Sequence, residues 1–384
     1  MRKSLAVGAA LVASALALTA CGSSTSTTAT SAAPSTSDTG ASSPAAATGL
    51  DEAKAFLAKY TSTPTTLGDL TPLSKKPVAG KSIIGLANGT GSAAELSKAW
   101  AAASADLGWT YKFIDQGYTP ETEQKAFEAA VALSPDAIIT SGIPEATIKT
   151  QLADAASKKI LVNTSASTDA SSPTGFFDAS IADVNQLDLW GQMIAAQVVV
   201  DSNGKAKVQG FSLPVYPILA RFDTAFQDAL KKWCPDCTYN ENPQQGADIG
   251  TKTPGAVVSA LQKAPDTDWV VFDLGDLETG VDSALAAAGI TGVHIGGLTA
   301  TAANIAAVKD GKQDAWTAYS LPVVGYRQID SVARQLNGDP ILNVPLPTQV
   351  INKDNVGSLV VDAKGAYVGV ADYQAQFKKL WLIG

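Results

Sequence analysis

A single histidine in 384 residues sets the first limit on what this chain can do. A Ser-His-Asp or Cys-His centre would have to be built around His294, which lies inside the apolar run Val293 to Ile295 like a packed strand residue. A multi-histidine metal centre is excluded. Cysteine is almost as scarce: beyond Cys21 there are only Cys234 and Cys237, and the second Cys/His pair of a zinc site is missing. After the first twenty residues no apolar run approaches the length of a membrane-spanning helix. Basic residues number 28 against 36 acidic ones, a balance that argues against nucleic acid and anionic lipid surfaces as partners. An enzyme is not expected, and neither a catalytic residue, a metal ligand nor a cofactor is assigned.

What is present begins with an address. Arg2 and Lys3 precede the apolar stretch Leu5 to Leu18, which is too short to span a bilayer and runs into small residues, the pattern of a secretory signal. Its last four residues, Leu18-Thr19-Ala20-Cys21, resemble the lipobox of bacterial lipoproteins. That resemblance implies cleavage before Cys21, a diacylglycerol thioether with palmitate-type chains on its sulfur, and a protein tethered to the outer face of the cell membrane. Residues 1–21 are the signal peptide in this reading, and residues 22–50, nearly all Ser, Thr, Ala, Pro and Gly, are a disordered tether. Without Arg2 and Lys3, 26 basic residues face 36 acidic ones, a net charge of −10. Outside the cytoplasm the C-x-x-C pair Cys234 and Cys237 is expected to be oxidised into a small structural staple, with a thioredoxin-like redox site or half a zinc site as the alternatives.

Residues 51–76 read as a lead-in, with a short amphipathic helix over Asp51 to Tyr60 and a proline-rich strap after it. Strands then alternate with helices. Strands are expected at Ser82–Ala87, Tyr111–Ile114, Ala137–Thr140 and Ile160–Asn163, with helices at Ala93–Leu107, Pro120–Leu133 and Glu145–Ser157 between them. A second series follows: strand Lys207–Phe211, helices Leu219–Trp233 and Gly255–Lys263, strand Trp269–Asp273, helix Thr279–Ala288 and strand Val293–Gly296. Thr119-Pro120 and Pro135-Asp136 bracket a helix in the first series as Thr253-Pro254 and Pro265-Asp266 do in the second. Strand Ala315–Tyr319, helix Val324–Leu336 and a proline-rich passage to Thr348 close the pattern. The fold class is therefore α/β: two similar doubly wound parallel-sheet lobes joined by a multi-segment hinge, with a cleft lined by strand-to-helix loops. The first lobe is placed at residues 77–176 plus 318–345, the second at 177–317 plus 346–384.

The segments Lys81-Ser82-Ile83-Ile84-Gly85-Leu86, Ser134-Pro135-Asp136-Ala137-Ile138-Ile139 and Val270-Val271-Phe272, running on to Asp276 and Ala284 to Gly289, resemble the type I periplasmic binding proteins, the ribose-binding-like family that serves ABC importers. The likeness covers roughly residues 77 to 345. It implies a sugar or sugar-like solute bound between the lobes, closure on the solute, and delivery to ABC permease subunits by a monomer. Ligand contacts are expected from Asn88, Ser141, Thr164, Tyr216, Arg221, Asp276, Thr299 and Tyr319. The resemblance makes Arg221 a guanidinium forked onto the ligand, against a plain surface ion pair, and makes Asp276 an acceptor for a ligand hydroxyl, against a helix cap before Thr279. The loop Asn88-Gly89-Thr90-Gly91-Ser92 carries no aromatic ring for sugar stacking, and Asn163-Thr164-Ser165 and Gly296-Gly297-Leu298-Thr299 replace charged patterns common in the family. Tyr216, Phe177, Trp190 and Tyr319 are the aromatic residues that could restore a wall.

Three other readings compete. The same receptor fold could take an aromatic or other organic acid or a nucleoside, or could signal to a membrane kinase. Alternatively Gly89-Thr90-Gly91-Ser92-Ala93-Ala94 fits G-x-G-x-x-A between a strand and a helix, with Asp115 about 20 residues on, the pattern of an NAD-dependent oxidoreductase.

Overall fold

The computed structural model describes residues 44–384; the signal segment, Cys21 and the first part of the tether lie outside the described residues. Among the described residues no helix is long and apolar enough to cross a membrane. Helix α1 (Pro44–Leu57) takes in residues 44–50, which the sequence assigned to the tether. Proline in the first turn and the alanines after it are compatible with helix and run straight into the amphipathic stretch. Its Phe56 ring sits 5.1 Å from that of Trp233.

The first lobe is built from β1 (Ser82–Ala87), α2 (Gly91–Asp106), β2 (Thr110–Asp115), α3 (Pro120–Ala132), β3 (Ala137–Ser141), α4 (Lys149–Ser157), β4 (Leu161–Ser165) and β5 (Asp178–Ile181). Its five strands are all parallel, in the order β2-β1-β3-β4-β5. Capping follows the sequence: Thr119 and Thr122 form a reciprocal capping box ahead of α3, whose first residue is Pro120.

The second lobe contains α5 (Val184–Asp201), β6 (Lys207–Ser212), α6 (Pro217–Trp233), β7 (Thr238–Pro243), α7 (Thr253–Lys263), β8 (Trp269–Phe272), α8 (Val281–Ala288), β9 (His294–Gly297), α9 (Ala302–Lys309) and β10 (Ala315–Thr317). After α10 (Leu321–Asn337), β11 (Val350–Asn352) joins its edge antiparallel, giving the order β11-β10-β9-β8-β6-β7. Without that edge strand, β7-β6-β8-β9-β10 repeats the order of the first sheet. Cys234 and Cys237 are disulfide-bonded at the end of α6, and Cys237 Sγ accepts from the Ala206 amide at the start of β6.

Two boundaries differ from the sequence reading. β5 pairs with β4, so the chain leaves the first sheet after Ile181 rather than before Phe177. Residues 346–384 are split between the lobes: β11 and Tyr367 stay with the second, whereas α11 (Tyr373–Leu380) returns to α10, where the Trp381 ring stacks on Tyr326 at 5.6 Å and its indole nitrogen donates to Asp330 at 2.9 Å. Tyr373, Phe377 and Trp381 recur every fourth residue and so share one apolar face.

Helix α10 locks the first lobe. Gly325 lets it cross α2 closely, since a Cβ there would stand 2.5 Å from the Ala99 methyl. Three residues on, the buried Gln328 amide accepts from Trp100 at 2.8 Å and donates to the Thr140 carbonyl and Asn163. One side chain thereby ties α2, β3 and β4 together with its hydrogen bonds satisfied.

Candidate functional site

In a doubly wound sheet the strand order reverses at one point, and the loops leaving the carboxyl ends there diverge to open a crevice. In the first lobe that point lies between β1 and β3, in the second between β6 and β8. The two face each other. Asn88 and Ser141 from the first pair, and Tyr216 and Leu274 from the second, line one cavity of about 120 Å³. At about 10–15 Å³ per water-sized group, that holds roughly ten such groups, the size of one small solute.

Most of its wall is apolar, including Leu96, Leu187, Ile218, Leu298 and Leu321. Trp190 and Tyr319 form an aromatic corner with ring centroids 4.7 Å apart. That corner is also the meeting place of the segments joining the lobes. Trp190 follows the first crossing, Tyr319 lies in the second, and the Trp190 indole donates at 2.7 Å to Thr348 in the third, whose hydroxyl donates to the Ala318 carbonyl at 3.3 Å. A solute touching these rings therefore touches the hinge.

No side chain charged at neutral pH lines this cavity. The Asn88 carbonyl oxygen is already taken by the Thr90 amide and hydroxyl. The Tyr216 and Tyr319 hydroxyl oxygens are buried, and the Asn88 side chain lies close enough to the Tyr216 phenol to act on its proton. Burial pushes the Tyr216 phenol up to about 12 and raises Tyr319 as well. Ala166, Ala182 and Thr299, all in the lining, hold left-handed backbone with φ of 52°, 54° and 60°. For a β-branched threonine that is a genuine departure, and such strain gathers at ligand sites.

Of the eight expected contacts, Asn88, Ser141, Tyr216, Thr299 and Tyr319 come together here. Thr164 does not. β4 runs on to Ser165, so Thr164 is wholly buried within the strand and the lining begins at Ala166. Arg221 is also corrected: its guanidinium forks onto Asp188 of α5 on the outside of the molecule, half-exposed. The helical period explains it, because Ile218, Phe222, Ala225, Phe226 and Ala229 form the buried face of α6 while Arg221, Thr224 and Asp228 point away. Of the four aromatic residues proposed for the wall, only Phe177 lies outside the lining.

Asp276 has a different job from the expected one. It sits in a short turn after β8, and its carboxylate accepts from the Ser92 hydroxyl and, at 3.3 Å, from the Ser92 amide at the start of α2. It is neither a cap before Thr279 nor part of this cavity; it bridges the lobes. Burial raises its proton affinity, while the donors from Ser92 and Gly91 pull the other way. The helix N-terminus that a dinucleotide pyrophosphate would need is thus filled by a carboxylate of the opposite lobe. Asp115 binds the Gly117 amide at 2.8 Å, and Gly91 serves the close approach of Asp276. The dinucleotide reading fails on this geometry.

His294 stacks on Trp269 at 5.1 Å and bonds Asp314 through Nδ1 at 2.7 Å, at the far end of β9 from the cavity. Sequence reading missed Ala166, Ala182 and Leu187 in the lining. The first two follow strand ends, and the third rides on α5, whose start is signalled by Asp183 accepting from the Asn185 and Gln186 amides.

A family model described as a periplasmic binding protein domain matches residues 84–340. No curated protein matches the sequence. Among solved structures, a solute-binding protein of an ABC transporter from Agrobacterium vitis with bound allitol is 22% identical, covering 72% of this chain and 97% of its own at a TM-score of 0.63. A sugar ABC transporter protein from Yersinia enterocolitica is 16% identical, covering 81% and 98% at 0.67. A solute-binding protein from Mycobacterium smegmatis with bound glycerol is 19% identical, covering 75% and 99% at 0.66. These likenesses carry the fold.

Proposed function

The chain belongs to the periplasmic binding protein family, of the type I, ribose-binding-like kind, and we propose that it is the solute-binding lipoprotein of an ABC importer, held outside the membrane by Cys21 and delivering one small solute to its permease. The observation that carries this reading is the cavity shared by the two strand-order reversals, lined by Asn88, Ser141, Tyr216 and Thr299 from the two lobes and by Tyr319 of the second crossing. The mechanism needs no chemical step. Loops from both lobes bind the solute, burial excludes water, and the difference in affinity between open and closed forms drives the hinge. Asp276 adds a direct bond between the lobes when they meet. The bound allitol and glycerol of the structural neighbours make polyols and sugars the first solutes to test.

A thermal-shift screen of the full chain against sugars, polyols, neutral ring compounds, organic acids, nucleosides and NAD tests the proposal. A ligand at a hundred times its Kd adds about 2.7 kcal/mol to stability. The expected result is a clear shift with one small-solute class; no shift beyond NAD would contradict the receptor reading.

A further inference from the structure

Because the two sheets share a strand order, the loop after β2 in the first lobe comes against the loop after β7 in the second. Tyr118 is carried on the first loop and Gly246 on the second. The main chain on both sides of Tyr118 is pinned. The Asp115 carboxylate accepts from the Gly117 amide at 2.8 Å, and Thr119 opens the capping box of α3. Held in this way, the half-buried ring reaches from Gly89, where a Cβ would stand 3.5 Å from its hydroxyl, across to the other lobe. Burial, then the carboxylates of Asp115 and Asp276, raise its phenol, so the ring lies near the Ser92 contact of Asp276. It stands just outside the solute cavity: Asn88, next to Gly89, and Tyr216, whose proton Tyr118 influences, both belong to the lining.

Gly246 is what the ring meets. A Cβ on that residue would stand 2.7 Å from Tyr118 Cδ1 and 3.3 Å from Cγ and Cε1, closer than packed carbon atoms come. The atoms in the way lie at the root of the ring, which cannot bend aside as the tip of a long side chain can. Glycine usually marks either a left-handed backbone or a close approach. Gly246 is not among the residues with positive φ, so its own loop does not call for glycine. The close approach is to a residue of the other lobe.

We propose that Tyr118 is the gate of the solute cleft: carried on the first lobe, its ring closes against Gly246 of the second, and position 246 is glycine to let that closure complete. This rests on the receptor reading above, since it needs lobes that part and meet. With the lobes apart, position 246 has room for a side chain; with them together, only glycine fits beneath the ring.

Trapping the closed form tests this without a solute. In the full chain, Ser92→Cys and Asp276→Cys together place two thiols where the lobes touch, and an ethylene-bridged bis-methanethiosulfonate joins them when the lobes meet. Peptide mass mapping reads the rate, which follows the closed population. Adding Gly246→Val, whose β-branched side chain cannot fold away, should slow trapping at least about fivefold. Gly246→Ser carries the same obstructing Cβ and gives a second reading should valine disturb the loop. Gly255→Val, on the same lobe where nothing stands within 4 Å, should trap as fast as the parent. Combining Gly246→Val with Tyr118→Ala should restore the rate to within about twofold of Tyr118→Ala alone. Equal trapping by the parent and both Gly246 variants overturns the gate and leaves the receptor standing. Slowing that Tyr118→Ala does not relieve overturns the role of Tyr118. Failure of every chain to trap, the parent included, counts against closure itself and so against the receptor reading as well.

Discussion

Asp223 on α6 and Asp273 just after β8 are buried in the second lobe, and among the described residues no salt bridge reaches either. The Leu213 amide donates to Asp273, and Glu241 and Tyr239 are the other titratable groups facing the pair. Burial first, and then the neighbouring carboxylates, hold both protons well above the ordinary carboxylate range. The folded chain therefore binds these protons more tightly than the unfolded chain, and stability should fall as pH rises from about 4 toward about 8. His294, raised by its bond to Asp314, acts with the same sign, contributing below its unfolded value and losing that contribution as pH rises through the folded one. Denaturant unfolding at several pH values checks this: a decline toward pH 8, with Asp273→Asn flattening it, is expected, and stability that rises over the same window contradicts it. Single residues were the least legible level of the sequence. Arg221 and Asp276 carry chemistry suited to a ligand, but the helix face of one and the lobe-to-lobe reach of the other depend on neighbours far away in sequence.

Among elements, the start of α2 is where the lobes meet most directly. Its first turn carries Ser92, the helix dipole favours an anion there, and Asp276 supplies one from the other lobe. A charge-assisted hydrogen bond of this kind is worth about 1.5–3 kcal/mol. If the bond forms only on closure, Asp276→Ala should weaken solute binding by roughly ten- to a hundredfold, mainly through faster release, as stopped-flow dissociation would read; an unchanged release rate would remove the latch. Most helices and strands of the two series were readable, because caps such as Thr119-Pro120 and apolar runs such as Val270 to Phe272 announce them. α5 was not, since it is apolar on nearly every side and buried along its length, leaving no stripe to detect. β7 was missed for the opposite reason, as Thr238–Pro243 is a polar edge strand ending in proline.

At the scale of the whole molecule, the repeated strand order brings two reversal points face to face, and the chain crosses between the sheets at the cavity they enclose. The sequence echo of Thr-Pro and Pro-Asp pairs reflects that repeat, so the two-lobed α/β fold was legible; the crossing points were not, because β5 and α11 are assigned to the first lobe by pairing and packing rather than by composition. The central claim is that one solute is held by both lobes and the hinge together. Hydrogen exchange of the full chain with and without the tightest ligand from the screen tests it directly. Protection should concentrate at residues 88–93, 274–276, 298–299 and 318–321, from both lobes and the second crossing; protection confined to one lobe, or to the outer face around Asp188 and Arg221, would contradict it.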